Sequence, residues 1–456
     1  MIRFEKYYLS LPGFLQRMVV DLRGRVLRGS RYSAGFLAAL SRAESRADWS
    51  VDRVREYAGR RLAEHLKFAR HCPYWQKVFL ERSVNADASD PFHELSKLPV
   101  LTKDTVRANL ADIACPLFSA AGLLAVSTSG TTGAGLAFPE TKESEWERWA
   151  VWWRYRLCLG IGPEDLCAHF GGKPIIPLGN DAAPYWRNSR HTGQVLFSSY
   201  HLNPRTVRAY VAEMSRSGVT WVHGYPSVLA LFAGLMIEAG VAAPERVRLV
   251  TTGAENLAEW QRELIGQAFG VPVRQHYGLA ESTANFSETA EGGMYVDEDF
   301  SGVEFVGAGN SLAIVGTNWH NHAFPLFRYD SGDLCSASCA ASPPAAMLSR
   351  LVETIDGRAE DYLVLRDGTH VGRLDQIFKD QPRIREAQIR QSRPGVARFH
   401  VVTMAGYDAA DERRLRASID LHIGVKCDHS IVYEKTLPRT PQGKLRLVVV
   451  APGSQN

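Results

Sequence analysis

The sequence contains few cysteines, and their spacing excludes two classes of protein. Seven cysteines among 456 residues are an odd number, and none of the Cys-x-x-Cys spacings of zinc-binding modules occurs among them. A disulfide-stapled secreted domain and a cysteine-rich zinc protein are therefore not expected. A reduced, cytoplasmic setting fits this composition.

Long apolar runs and a strong charge of one sign are also missing. The longest apolar run, from Val228 to Ile237, stops at Glu238, short of the roughly 20 residues that a membrane-spanning helix needs. The N-terminal stretch carries charges where a secretory signal would be apolar. With 53 basic and 49 acidic residues the net charge is only +4, which gives little attraction to nucleic acid. We expect no membrane insertion and no nucleic-acid partner.

The composition that is present indicates a globular protein of more than one structural unit. Hydrophobic residues make up 45% and charged residues 22%, and 456 residues exceed the size at which one core keeps growing. After Ser50, apolar residues recur at three- and four-residue steps from Val51 to Ala69. This spacing predicts an amphipathic helix.

Residues 203–278 predict alternating helices and strands. A helix opening at Asn203-Pro204 and closing at Gly218 is followed by the strand "VTWVHG" and a helix from Pro226 to about residue 239. The strand "VRLVTTG", a helix around "LAEWQRELIGQAFG" and the strand "PVRQHYG" come next. Strands separated by helices at this spacing predict right-handed crossovers and a parallel sheet.

Polar, glycine-bearing turns follow these strands. They are "HGYPS", "TGAEN" and "YGLAES", in which Glu255 and Glu281 contribute carboxylates. Ligands of parallel sheets bind beyond the carboxyl ends of the strands, so the turns indicate a site. The alternative is that they are ordinary strand-to-helix turns.

One loop is unusually rich in hydroxyl groups and glycines. Hydroxyls and unobstructed backbone amides suit an anion with several oxygens, and phosphate is the first candidate. No Gly-Lys-Ser/Thr follows the glycines, so this is not the phosphate loop of a P-loop ATPase. A solvated hairpin turn is the alternative. The loop consists of Ser127, Thr128, Ser129, Gly130, Thr131, Thr132 and Gly133.

The C-terminal part has a different pattern. Short strands such as "RFHVVTMA" and "HSIVYEKTLP" flank one helix around "DERRLRASIDLHIG". This indicates a small α+β unit, and we place its boundary near Gly357. The predicted domains are a large one, residues 1–356, and a small one, residues 357–456.

Taken together, the motifs resemble those of the adenylate-forming superfamily of acyl-CoA ligases, peptide-synthetase adenylation domains and luciferases. The strings "STSGTTG", "YGLAE", "RYDSGDL", "GRAED" and "LPRTPQGK" occur in that order. "HCPYWQKV", "HGYPS" and "NWHNHAFPLFRYDSGDL" are similar to the phenylacetate-CoA ligase and CapK-like branch. The resemblance covers residues from about 50 to about 448. It implies an α/β fold with a large N-terminal adenylate-forming domain of parallel sheets and helices, and a small mobile C-terminal α+β domain.

The resemblance also implies a role for each polar residue of the motifs. Glu281 would bind Mg²⁺, and Lys444 would bridge the α-phosphate and the substrate carboxylate as the catalytic lysine. Asp333 would accept hydrogen bonds from both ribose hydroxyls, and Tyr277 would stack on the adenine. Glu360 and Asp361 fall at the implied hinge, although an acidic surface pair is an equal alternative. The implied ATP- and AMP-binding residues are the loop Ser127–Gly133, Gly253, Ala254, Glu255, Tyr277, Gly278, Asp333 and Arg358.

The acyl pocket is the least specific part of the pattern. His169, Phe170, Gly171, His223 and Tyr225 are the candidates to line it. The neighbouring tryptophans, at helical spacing, indicate core packing instead, and His223 on its own is more typical of a satisfied polar residue than of a catalyst.

Two positions depart from the family pattern. Ala134 stands where many members have a phosphate-loop lysine. The Cys-x-Cys-Gly-Arg segment of many relatives in this branch is absent, so Cys335 and Cys339 predict free thiols and no zinc.

The implied reaction uses ATP and Mg²⁺ to convert a carboxylic acid to an acyl-adenylate, which a nucleophile then attacks. The predicted small-molecule partners are the acid, ATP and coenzyme A, with an amine acceptor as the alternative. A nucleotide-binding protein that retains the fold without turnover is a rival from another class.

Overall fold

The computed structural model describes most of the chain. Three of the motifs fall partly outside the described part, because it omits 129–135, 359–362 and 441–444. The described residues are 7–128, 136–177, 179–180, 182–307, 311–337, 350–358, 363–366, 370–371, 374–378, 381, 383–423, 427–440 and 445–450.

The described helices begin and end close to recognisable sequence signals. Thr102 and Thr141 cap helices with their side-chain hydroxyls, and Asp90 caps another with its carboxylate. The helices are α1 (Gly13–Arg31), α2 (Ala34–Arg46), α3 (Val51–Ala69), α4 (Pro73–Arg82), α5 (Pro91–Ser96), α6 (Lys103–Ala108), α7 (Leu110–Ile113), α8 (Lys142–Cys158), α9 (Val207–Ser217), α10 (Pro226–Glu238), α11 (Glu259–Phe269) and α12 (Ala409–Ile423).

The strands are short and many carry glycine or a polar residue at their end. They are β1 (Leu124–Ser127), β2 (Ala137–Glu140), β3 (Cys167–Gly171), β4 (Trp186–Ser189), β5 (Gln194–Ser198), β6 (Trp221–Gly224), β7 (Leu249–Gly253), β8 (Val273–Gly278), β9 (Asn285–Glu288), β10 (Met294–Val296), β11 (Ser301–Val306), β12 (Leu312–Asn318), β13 (Tyr329–Ala337), β14 (Leu351–Arg358), β15 (Leu363–Val364), β16 (His370–Val371), β17 (Ile384–Arg393), β18 (Val396–Thr403), β19 (Asp428–Tyr433) and β20 (Val448–Val450).

The chain forms two compact units. The first unit consists of Met1–Leu27, Pro163–Gln275 and Ala359–Asn456. The second unit consists of Arg28–Gly162 and His276–Arg358. The domain boundary predicted near Gly357 stays a prediction. Each compact unit combines several separate segments of the chain, so the units do not correspond to the two predicted domains.

The first unit contains the predicted parallel strands. Strands β5, β3, β6 and β7 pair in parallel in that order, with β4 antiparallel at the edge beyond β5. Helices α9, α10 and α11 connect successive strands as the alternation predicts. The helix expected from Asn203 begins only at Val207, because Asn203 accepts from the backbone amides of Thr206 and Val207 and closes a turn first.

The C-terminal part of the first unit is the predicted α+β element. A second sheet has the strand order β19, β18, β17, β20, and helix α12 contacts the short 3₁₀ turn Leu374–Phe378. Strand β17 packs against α10. The buried side chains of both sheets form one continuous core within this unit.

The second unit is built largely from antiparallel strands and the N-terminal helices. The end of β8 pairs with β9, and the order continues through β10, β14, β13 and β12 to β11. Strands β1 and β2 form a separate hairpin. Helix α3 buries Ala58, Leu62, Leu66 and Ala69, which confirms the predicted amphipathic helix.

The fold as a whole is a mixed α/β fold with large and small sheets, as predicted. No helix in the described part of the chain combines the length and apolar character needed to cross a bilayer.

Candidate active site

In the second unit, the structure places three motif residues in one cluster. The Tyr277 hydroxyl at the end of β8 donates to Oδ2 of Asp333 on β13, over 2.8 Å. Asp333 pairs directly with Arg358 in the register of β13 and β14. Burial first, and then the Asp333 carboxylate, hold the pKa of Tyr277 well above its usual value, so this hydroxyl remains a hydrogen-bond donor.

One face of the Tyr277 ring contacts another aromatic side chain. It stacks on Phe286 of β9 with ring centroids 4.8 Å apart. Tyr277 is half-buried, so the side chain retains exposed surface. Gly278 follows, and a Cβ there would lie only 2.9 Å from Oδ1 of Asn285 and 3.0 Å from the ring of His276. Glycine is therefore required where β8 ends, because any side chain would displace its neighbours.

Glu281 lies in the turn between β8 and β9 and is only 6% exposed. The Tyr329 hydroxyl donates to its carboxylate over 3.3 Å. Burial raises the pKa of Glu281, while its own backbone amide, Lys103 and the Tyr329 bond act in the opposite direction, and Asp333 adds to the rise. A buried carboxylate with so few donors is one that a cation would stabilise.

The peptide around Glu281 is held by a fully buried amide. Nδ2 of Asn318 donates to the carbonyl of Glu281 over 3.1 Å, and Oδ1 of the same side chain accepts from the amide of Leu326. Ser282, the next residue, has a φ of 58°, in the left-handed region. Asn318 and the strained turn together fix where the carboxylate lies.

The hydroxyl-rich loop is closed at its base. Thr128 exchanges two hydrogen bonds with Leu136: its amide donates to the Leu136 carbonyl, and its hydroxyl accepts from the Leu136 amide. Ser127 pairs with Ala137 in the β1–β2 register. The rest of the predicted phosphate loop, Ser129, Gly130, Thr131, Thr132 and Gly133, lies outside the described residues, as does Ala134.

In the first unit, Glu255 joins two distant segments. Its carboxylate accepts from the amide of Ser227, at the start of α10, over 3.1 Å and from the amide of Leu445 over 3.2 Å. Ala254, just before it, has a φ of 67°. Leu445 follows Lys444 in the sequence, and Lys444 itself lies outside the described residues, as do Glu360 and Asp361.

The two predicted histidines of the acyl pocket lie side by side. His169 and His223 pair in the register of β3 and β6, and their rings stack with centroids 5.6 Å apart. Nδ1 of His223 shares a hydrogen bond with Thr251 over 2.9 Å. Both rings are half-buried, whereas a simple core histidine would be fully enclosed.

Phe170 differs from the other acyl-pocket candidates. It is completely buried in the core of the first unit, stacked on Phe197 and close to Phe232. Neighbouring residues of a strand point to opposite faces, so the side chain of Phe170 is directed away from the side of His169. This placement gives no support to Phe170 as a residue that touches the acyl group.

The remaining candidates border the strand ends. A Cβ on Gly171 would lie 2.9 Å from Nε2 of His169, and the Gly171 carbonyl accepts from Ser199. Tyr225 precedes α10, and burial raises its pKa. The tryptophans of α8 pack as expected: Trp153 donates to the Tyr32 hydroxyl, and Trp149 lies under the guanidinium of Arg31.

Several residues of these clusters were not predicted from the sequence. Tyr329 and Asn318 lie inside the long motif "NWHNHAFPLFRYDSGDL", so a closer inspection of polar residues there could have found them. Lys103 follows a helix cap and belongs to no motif. It reaches this neighbourhood because the chain at Leu101 pairs with Tyr329 and Asp330.

The side chains around Glu281 match a magnesium site only in part. Among the described residues no group of three or more histidines, cysteines or acids could hold a metal ion. Mg²⁺ commonly takes one or two carboxylates together with substrate phosphates, and Glu281 suits that arrangement. Cys335 is a buried free thiol, as predicted, and Cys339 lies outside the described residues.

Comparisons with known proteins agree with this geometry. No family model matches the chain. It is 20% identical to Protein CapK of Staphylococcus aureus over 97% of this chain and 98% of that protein. A structure of 2-hydroxyisobutyryl-CoA ligase, in the postadenylation state with an acyl-AMP, aligns with a TM-score of 0.68 and 18% identity, covering 90% and 91% of the two chains.

Two further structures are similar at a lower score. The same ligase in the thioesterification state aligns with a TM-score of 0.53 and 18% identity, over 88% of this chain and 90% of the other. The GH3.15 acyl acid amido synthetase aligns at 0.53 and 12% identity, over 84% and 86%. The chain therefore has the fold of these ligases, and its similarity to Protein CapK agrees with the CapK-like resemblance seen in its motifs.

Proposed function

We propose that this protein is an enzyme that activates a carboxylic acid with ATP and transfers the acyl group to a nucleophile. In the first step a carboxylate oxygen forms a bond to the α-phosphorus of ATP. The bond between the α- and β-phosphates breaks, and pyrophosphate leaves. In the second step the nucleophile attacks the acyl carbonyl, loses its proton to solvent, and AMP leaves.

The observation that carries the proposal is the cluster in the second unit. The Tyr277 hydroxyl donates to the Asp333 carboxylate, and these two residues come from separate motifs. The backbone of Arg358, from a third motif, pairs with Asp333 in the strand register. Asp333 would accept hydrogen bonds from the ribose hydroxyls, and Tyr277 offers a ring edge and face to a base. Glu281 would hold Mg²⁺, which neutralises phosphate charge when bound.

The experiment is carboxylate-dependent exchange of labelled pyrophosphate into ATP, over a panel of aryl, aliphatic and sugar acids. We expect exchange with at least one class of acid and none without acid. ATP turnover that no acid stimulates, or nucleotide binding without exchange, would favour the rival of a nucleotide-binding protein that does not turn over.

Asp333 provides the matching binding test. Asp333→Ala should weaken ATP binding by more than about tenfold while acid binding changes little, since the lost hydrogen bonds go to the ribose. Calorimetry with ATP alone measures this. An affinity within about twofold of the wild type, worth about 0.4 kcal/mol, would contradict the ribose assignment.

Coenzyme A is the acceptor we favour. The similar structures include both a CoA ligase and an acyl acid amido synthetase, so an amine is the second candidate. Incubation of the enzyme, ATP and its best acid with coenzyme A or with candidate amines distinguishes them by product. The thioester is the expected product, and an amide formed in preference would replace it.

Lys444 is proposed as the catalytic lysine of the first step. The residue that follows it in the sequence, Leu445, donates its amide to Glu255 in the turn after β7. Lys444→Ala should slow adenylation by about a hundredfold to a thousandfold, because it removes a charge that acts on the transition state. Transfer from chemically synthesised acyl-AMP should survive. Equal losses in both steps would assign Lys444 to folding or general binding.

The acid pocket is proposed to include His169, Gly171, His223 and Tyr225, without Phe170. Glu360 and Asp361 are retained as the proposed hinge between the two steps, with the predicted small domain turning at residue 357.

A further inference from the structure

Helix α1 contacts the protein mainly at one glutamine and one glycine. Gln16 is only 1% exposed, and its amide donates to the carbonyls of Tyr8, Leu9 and Leu11 and accepts from Arg187 over 2.5 Å. Gly24, two turns further on, lies so close to Ser189 that a Cβ would meet its hydroxyl at 2.5 Å. The fully buried residues of this helix are thus a glutamine and a glycine, while Leu15, Val19, Val20 and Leu27 are half-buried.

Four apolar side chains of α1 point in the opposite direction. Phe14, Met18, Leu22 and Val26 follow each other at four-residue steps and are 57% to 64% exposed. Four-residue steps keep side chains on one face of a helix, and that face lies opposite Gln16. We call these four residues the α1 stripe. A contiguous exposed apolar stripe of this kind marks an interaction surface, since folding alone leaves it in water.

The charge of α1 has one dominant sign. The helix carries five arginines and a single acid, Asp21, and its exposed residues include Arg17, Arg23 and Arg25. Outside α1, the basic and acidic residues of the chain are equal in number. The net charge of the whole chain, +4, therefore equals the net charge of helix α1. Exposed arginines of this helix lie beside the α1 stripe.

We propose that the α1 stripe binds the surface of an anionic lipid bilayer, with the helix lying in the plane of the interface. Apolar side chains enter the boundary between headgroups and acyl chains, while the arginines extend their stems and bind lipid phosphates. This is peripheral binding of one helix face and requires no spanning segment. It is independent of the reaction proposed above.

A second copy of this chain fits the α1 stripe less well than a bilayer does. Pairing two such helices would bring the arginines of one copy next to those of the other, and like charges at close range oppose association. An anionic surface satisfies the apolar and the cationic residues together.

The test is co-sedimentation of the full chain with vesicles of phosphatidylcholine alone or with added phosphatidylglycerol. We expect binding only to the anionic vesicles, decreasing as salt is raised. Leu22→Glu should weaken binding at least about tenfold, because it removes a buried apolar group and adds a repelled charge. Arg17→Gln and Arg25→Gln should each weaken it about fivefold.

Leu80→Glu is the matched control. Leu80 is 82% exposed on α4, outside the α1 stripe, so this variant adds the same charge and should bind vesicles like the wild type. Equal losses in Leu22→Glu and Leu80→Glu, or no vesicle binding at low salt, would overturn the proposal. A concentration-dependent dimer that Leu22→Glu disrupts, without vesicle binding, would assign the α1 stripe to contacts between copies instead.

Discussion

Burial of the Glu281 carboxylate costs free energy as long as no cation is bound to it. It is nearly inaccessible to water and receives one side-chain hydrogen bond, from Tyr329. The raised pKa means that the folded chain favours the neutral acid. Ionisation at neutral pH therefore works against folding, and binding of a cation would relieve that cost.

We expect Glu281→Gln to separate stability from activity. The folded state of the wild type binds its proton more tightly than the unfolded state, so its stability falls as pH rises through the raised pKa. Glutamine lacks this loss, and the variant should be the more stable protein at pH 8 but not at pH 4. Pyrophosphate exchange should fall by about a hundredfold.

Urea unfolding of both proteins at the two pH values measures the stability difference. Because the same other groups titrate in both proteins, the comparison isolates residue 281. A glutamine variant that is less stable than the wild type at pH 8 would contradict the prediction.

The elements of the second unit are joined by a buried charge network. Arg154 of α8 donates to Asp299 over 2.8 Å and to Asp297 over 2.9 Å, and Arg46 of α2 donates to Asp299 over 2.6 Å. Burial opposes ionisation of Asp299, but the two arginines outweigh it and hold its pKa far below the usual range. The network ties α2 and α8 to the segment after β10.

Arg154→Met should destabilise the protein by about 3–5 kcal/mol, because two buried carboxylates each lose a charged partner and Arg46 remains to pair with Asp299 alone. Arg42→Met is the control: Arg42 joins the outer edge of the same network at Glu147, is largely exposed, and should cost no more than about 1 kcal/mol. Urea unfolding at pH 7 compares them. Similar small losses in both variants would show that the network contributes little.

Local signals predicted some elements well and could not predict others. Helix α10 and strands β6, β7 and β8 lie close to their predicted bounds, because proline, glycine and apolar periodicity act over a few residues. The Arg154 network was not predicted, since Asp297 and Asp299 lie some 140 residues further along the chain. Such pairings depend on tertiary structure, which no short pattern contains.

The residues of the candidate site were likewise predicted only in part. The motifs identified Tyr277, Glu281 and Asp333, and the structure joins Tyr277 to Asp333. Phe170 was predicted as a pocket residue from its position in "HFGG", but the alternation of the strand places its ring in the core, which gives that prediction no support. Lys103 was missed because only the pairing of Leu101 with residues beyond Arg328 brings it near Glu281.

At the level of the whole chain, the C-terminal sheet is docked on helix α10 by polar contacts. Arg385 of β17 forms an ion pair with Glu238 over 3.0 Å, and its aliphatic stem lies against Gly234, where a Cβ would be 3.0 Å away. Arg439 donates to the Ser227 hydroxyl and pairs with Glu386. These polar contacts add to the hydrophobic core that the two sheets share, and an ion pair at this place could select the adenylating arrangement of the proposed small domain.

Reversing the charge of Arg385 should therefore slow the first step alone. Arg385→Glu places two carboxylates together on β17 and α10, which disfavours the docked arrangement, and pyrophosphate exchange should fall about tenfold. The double variant Arg385→Glu with Glu238→Arg restores opposite charges and should recover most of the exchange, while transfer from synthesised acyl-AMP to coenzyme A should stay unchanged in both. The test measures both steps in all three proteins. If the double variant shows no rescue, or if the transfer step is lost equally, this contact stabilises the fold and does not select the adenylating arrangement.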